Sequence, residues 1–153
     1  VPQTEENLLN SYLKWWRAHP GRQVLNHVLV VTAFPGVYLV EMERGKITRY
    51  GIGGCFSVPK SRRIRTQNIA IAMGQIRYWK KAQFASRIKA IQKVFFVLGH
   101  ELAHYRQWCF RKFSPATREQ RATRLGQAWL RQFLVHQAQG PCHQCNQVKV
   151  EWL

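Results

Sequence analysis

The sequence has no aspartate: its 7 acidic residues are all glutamates, Glu5, Glu6, Glu41, Glu43, Glu101, Glu119 and Glu151. Any carboxylate chemistry must come from that short set, and a serine or cysteine nucleophile lacks a convincing base and orienting partner. Long apolar runs are also missing, so no segment reads as a membrane span. The opening VPQTEENLLN has neither the basic start nor the apolar middle of a signal peptide. Cysteine is scarce and unevenly spaced, with 4 in 153 residues, unlike the dense framework of a small secreted domain. A reducing, cytoplasmic setting is expected. There is no internal repeat and no low-complexity segment. No Gly-rich phosphate loop is present either: GIGG at 51–54 lacks the Lys-Ser/Thr of a nucleotide site and reads as a turn before a strand.

Positive charge, by contrast, is abundant. Lys and Arg total 24, giving a formal net charge of +17. This exceeds what solubility requires and suggests a surface for a polyanion, nucleic acid foremost. Lys60, Arg62, Arg63 and Arg65 crowd into VPKSRRIRTQ, too polar for core and read as an exposed loop or hairpin. Lys80 and Lys81, with Arg77, Lys89 and Lys93 nearby, extend the set of cations able to follow a phosphate backbone, and Tyr78 and Trp79 are available for stacking. Association with the nucleoid or with DNA follows as an expectation.

At 153 residues one domain with a real core is expected. In TEENLLNSYLKWWRA, Leu8, Leu9, Tyr12 and Trp16 recur at helical spacing, and the helix ends before His19-Pro20-Gly21. VLNHVLVVTAF, GVYLVEME and KITRYGIGG are rich in β-branched and aromatic residues and are separated by Pro35-Gly36 and Arg44-Gly45, which predicts a meander of two or three antiparallel strands. NIAIAMG predicts a further strand, while IRYWKKAQFA fits a helix or an ordered loop equally. From Ser86, Ile88, Ile91, Phe95, Leu98, Leu102 and Tyr105 follow a three-four spacing that marks the central buried helix. Ser114-Pro115 opens another helix with Leu125, Trp129, Leu130 and Phe133 on its apolar side, and Gly140-Pro141 ends it. The chain divides into a domain over 1–140 and a short Cys-containing tail over 141–153.

The central helix carries HELAH. His100 and His104 stand one turn apart on one face, so both imidazoles can reach one ion, while Glu101 lies about 100° round the axis. A metal there lowers the pKa of its water toward ~7, and the glutamate beside it is suited to take the proton as general base for attack on a carbonyl. The alternative is a solvated helix face. The strongly apolar VFFVLG just upstream argues against it, because His and Glu in a buried segment are costly unless paired or metal-bound. A third ligand must come from Cys109, Glu119, His136, Cys142, His143 or Cys145. Glu119 is favoured because a short connection lets its helix fold back antiparallel, and His136 is the next choice. Tyr105, Arg106 and His136 are candidate oxyanion donors. In CHQC, Cys142 and Cys145 make one ligand pair of a structural zinc site. A closed site needs four ligands, so unliganded thiols are the favoured reading, with His136 or Cys109 able to complete it only by folding together.

HELAH followed by EQRATRLGQAWL resembles the ImmA/IrrE metallopeptidases, gluzincin-type enzymes reading H-E-x-x-H and then a helix of the form E-x-x-A-N-x-F-A-x-x-L-L. Glu119 and Ala122 match, Thr123 stands where Asn is usual, Leu125 replaces the aromatic, Gly126 replaces Ala, and Trp129-Leu130 fill the apolar pair; the likeness covers about residues 69–133. It implies an α+β, small zincin-like fold, with an antiparallel or mixed sheet packed on the motif helix and on a second ligand-bearing helix. It also implies His100, His104 and Glu119 as zinc ligands, Glu101 as general base, and NIAIAMG as an edge strand that binds substrate by strand addition. The implied function is a zinc-dependent endopeptidase acting on a protein substrate, a repressor or another DNA-bound protein. The SprT/Spartan-like proteases also read H-E-L-x-H and act beside DNA, but their third ligand is a His soon after the motif helix, and none lies between His104 and His136 here. A basic nucleic-acid-binding module with a structural or vestigial zinc site is the non-enzymatic alternative. It is separated from the others by whether Glu101 is needed for turnover.

Overall fold

The computed structural model describes residues 5–24, 28–34, 38–43, 46–51, 54–57, 66–72, 87–110, 115–140 and 142–145; side chains are described over 7–24, 29–32, 69–71, 88–110, 116–140 and 142–145. Helix α1 spans Glu5–Ala18. Five strands follow: β1 (Val28–Phe34), β2 (Tyr38–Glu43), β3 (Lys46–Gly51), β4 (Gly54–Ser57) and β5 (Thr66–Ala72). Helix α2 covers Arg87–Phe110 and helix α3 Pro115–Gln139. The class is α+β, and no helix among the described residues is long and apolar enough to cross a membrane.

The helix boundaries follow their local chemistry. Pro115 occupies the first position of α3, where its missing N–H costs nothing. At the other end Gly140 takes φ 86°, the left-handed conformation that closes a helix and turns the chain back. In α1, Leu8, Leu9, Tyr12, Leu13, Trp15 and Trp16 are buried. Tyr12 stacks on Phe95 of α2 at 5.3 Å between ring centroids and meets Phe133 of α3 at 5.1 Å, so one residue joins all three helices. Trp16 meets Trp129 edge-on at 5.6 Å. The expected buried face of α2 holds from Ile91 to Tyr105, but Ile88, one residue inside the helix, is exposed.

Two strand expectations are corrected. β2 and β3 do form an antiparallel hairpin, but β1 does not join them: it pairs in parallel with β5, from Val28 opposite Thr66 to Phe34 opposite Ala72. A parallel neighbour requires a long connection, and here that connection contains the hairpin and β4, so neither the partner nor its direction is written in the local pattern of β1. Nor is NIAIAMG an edge. β5 is the centre of a three-stranded sheet ordered β1-β5-β4, with β4 antiparallel to it. Ile69 and Ile71 are fully buried, and from Asn68 to Ile71 the strand has a partner on each side. The helix α2 packs against β4 and β5.

Candidate metal centre

The separation of α2 and α3 is set by two glycines. A methyl group built on Gly126 would meet the His100 backbone N at 3.0 Å and the Phe96 O at 3.1 Å; one on Gly99 would meet the Gly126 Cα at 3.2 Å. Backbone thus lies on backbone, one residue from His100 on α2. Along α3, Ala122, Gly126, Trp129 and Phe133 form the buried seam, and Glu119, one turn before Ala122, emerges where that seam reaches the surface. Its side chain is 74% exposed, against 19% for His100 and 14% for His104.

His100, His104 and Glu119 converge. Glu119 Oε2 lies 3.2 Å from His100 Nε2, Glu119 Oε1 lies 3.0 Å from His104 Nε2, and the two Nε2 atoms are 3.1 Å apart. Hydrogen bonds around the site determine which of these atoms carry protons. Gln107, buried on α2, donates from Nε2 to the Arg118 carbonyl at 3.0 Å, which leaves its Oε1 facing His104 Nδ1 at 3.1 Å. His104 therefore donates from Nδ1, which leaves its Nε2 as the atom that faces the carboxylate. His100 Nδ1 lies 3.4 Å from Thr123 Oγ1, a hydroxyl able to accept from it or donate to it. Desolvation first, and then the neighbouring His104, hold the His100 imidazole below its ordinary pKa, against the opposing pull of Glu119. Two imidazole nitrogens and both carboxylate oxygens thus crowd into one small volume, a donor set that a cation can hold together. Tetrahedral zinc with bonds of ~2.0–2.1 Å places its nitrogen and oxygen ligands about 3.3 Å apart, close to the spacing here.

Glu101 follows His100 on α2 and is buried; it does not belong to this three-residue group, which fits a role beside the ion rather than on it. Other candidates are turned elsewhere. Tyr105 is in the core, its hydroxyl directed at the Val24 carbonyl at 3.5 Å, and Arg106 lies over the Phe110 ring. His136 is 17 residues beyond Glu119 on α3, which at 1.5 Å per residue is ~25 Å away. It therefore serves neither as third ligand here nor as oxyanion donor. Cys109 and Cys145 stand outside the group as well. Lys60, Arg62, Arg63, Arg65, Lys80 and Lys81 lie outside the described residues, as does the stretch 76–85. Arg118, Arg121, Arg124 and Arg131 are exposed on α3, so the helix that supplies Glu119 also carries a cationic outer side.

Gln107 escaped the sequence reading. Its signal is an amide three residues after a histidine, which is the spacing that brings two side chains together on one face of a helix.

No family model, no curated protein and no solved structure matches the chain.

Proposed function

We propose that the protein is a zinc-dependent endopeptidase with a zincin-like arrangement, in which His100, His104 and Glu119 hold the ion and Glu101 is the general base. One observation carries the reading: two imidazole Nε2 atoms and a carboxylate meet at 3.0–3.2 Å, with a polar side chain at the other nitrogen of each ring. Three protein ligands leave a fourth position for water and substrate, the mark of a catalytic rather than a structural ion. When bound, zinc makes a water acidic near neutral pH and polarises a carbonyl.

The chain's own residues do the rest. Glu101 receives a proton from the attacking water on its carboxylate and hands it to the departing amine nitrogen. Gln107 keeps the His104 imidazole in the tautomer that binds metal, and Thr123 helps to orient that of His100. β4, the outer strand on one side of the sheet and a neighbour of α2, offers a backbone edge along which an extended peptide can lie. The exposed arginines of α3 and the net charge of +17 favour a substrate that is acidic or attached to DNA. Among zincins the site resembles the ImmA/IrrE type. A SprT-like site would draw a histidine to the position Glu119 occupies, and His136 stands too far along α3 to serve.

Metal content and proteolysis test the reading together. Glu119→Ala loses one equivalent of zinc and the cleavage of an unfolded protein substrate; His136→Ala leaves the zinc of this site in place. Glu101→Gln keeps the zinc and loses cleavage. Undiminished cleavage by Glu101→Gln, or unchanged zinc in Glu119→Ala, overturns the assignment.

A further inference from the structure

We infer that His19, His136, Cys142 and Cys145 form a second, structural metal site of the Cys2His2 type, one that takes zinc and clasps three separate segments of the chain. The four ligand atoms all lie within 4.8 Å of one another. Cys142 Sγ is 3.6 Å from His19 Nε2, and Cys145 Sγ is 3.5 Å from His136 Nε2. A tetrahedral zinc with Zn–N of ~2.0–2.1 Å and Zn–S of ~2.3 Å sets nitrogen and sulfur about 3.6 Å apart. Each measured edge matches that figure.

The local structure explains the convergence. α1 ends at Ala18, and His19 follows in the turn. α3 runs on to Gln139 with His136 in its last turn. Gly140, at φ 86°, then reverses the chain so that Cys142 and Cys145 return onto the two helix ends. The Cys142 sulfur accepts the backbone N–H groups of Cys145 and Gln144, which holds the turn closed around it. Ring packing alone does not account for the arrangement. The histidine rings do meet at 5.1 Å and both lie against Trp15, but stacking would leave each Nε2 free to face solvent, whereas both are turned toward a sulfur. His136 Nδ1 is buried without a protein partner among the described residues, so the bond made at Nε2 must offset that cost.

Four protein ligands fill a tetrahedron and leave no place for substrate, so this site is structural. Such an ion binds the folded chain and not the unfolded one, and its binding free energy adds to stability. The site stands independently of the proposed hydrolase: it shares no residue with the His100, His104 and Glu119 group.

Cobalt distinguishes the two centres because only this one contains sulfur. The chain of 153 residues, stripped of metal and titrated with Co2+, is expected to develop a thiolate-to-cobalt charge-transfer band together with the intense visible bands of tetrahedral cobalt, and Zn2+ should bleach both. His100→Ala/His104→Ala keeps the band; Cys142→Ser/Cys145→Ser loses it and retains one zinc of two. Should that last variant fail to fold, the wild-type protein still decides the question, since zinc should shield two of its four thiols from a thiol reagent. Absence of the charge-transfer band in the wild type, equal thiol reactivity with and without zinc, or a Cys142–Cys145 disulfide in protein purified under reducing conditions overturns the inference.

Discussion

Gly126 lies directly against the backbone of His100, so the helix that carries the carboxylate and the helix that carries the imidazoles touch without a side chain between them. A methyl group at position 126 would stand 3.0 Å from the His100 nitrogen and 3.1 Å from the Phe96 oxygen. Both neighbours are helix backbone, which yields only if a whole helix shifts. Leucine at this position should therefore force α2 and α3 apart, at a cost in the range of ~1–3 kcal/mol for overpacking, even though leucine favours helix more than glycine does. Because Glu119 moves with α3, Gly126→Leu should also weaken zinc binding. Thermal unfolding and zinc titration of that variant check the pair of effects. Wild-type stability together with wild-type affinity would mean the helices do not meet here.

Gln107 touches His104 and the Arg118 carbonyl, but it belongs to neither the ligand set nor the core. Leucine of similar length fills its space and removes the acceptor at His104 Nδ1. The imidazole is then free to rotate or change tautomer, and outer partners of this kind are worth about 10–100-fold in metal affinity. Gln107→Leu should lower zinc affinity by that order, measured by competition with a chelator, while leaving the far-ultraviolet circular dichroism unchanged. Glu at 107 keeps an acceptor and should restore much of the affinity.

The metal-free protein should become less stable as pH falls below about 6.5, the ordinary histidine value. Burial depresses the His100 pKa in the fold, and burial and the proximity of His19 do the same to His136. In the unfolded chain these imidazoles accept protons first, so the unfolded state binds more protons in this window and gains on the native one. Urea midpoints of chelator-treated protein at pH 7.5 and 5.5 test the sign: the acid midpoint should be the lower, and by less in His100→Gln.

What the sequence disclosed and what it concealed divide along the range of the interactions. His100, Glu101 and His104 share one helix, so their geometry follows from the helical repeat alone, and Glu119 was reachable because one short connection separates its helix from theirs. The three helices announced themselves through apolar spacing and their Pro and Gly boundaries. The sheet did not: β1 pairs with β5 across 31 intervening residues, and nothing within either strand names its partner. Concealed for the same reason was His19. It stands 117 positions before His136 and reads locally as no more than the end of a helix, so a Cys pair that lacked companions in sequence acquires two in space.

Tyr12 sits at the junction of the three helices with its ring well placed and its hydroxyl poorly served. The ring stacks on Phe95 and meets Trp15 and Phe133, but Oη is buried without a hydrogen-bond partner among the described residues, pressed near Gly99. Burial pushes the hydroxyl pKa far upward, so it remains neutral and its cost is that of an unpaired polar group. Such a group costs ~1–3 kcal/mol, which phenylalanine removes while keeping every ring contact. Against this stands the small void left where the oxygen was, worth less than one methyl group of packing. Tyr12→Phe should therefore raise stability by about 1 kcal/mol, or ~2–4 °C in Tm for a chain of this length. A fall in Tm would mean that the hydroxyl has a partner, and Gly99→Ala would then be expected to disrupt that bond and destabilise the wild type more than the Tyr12→Phe protein.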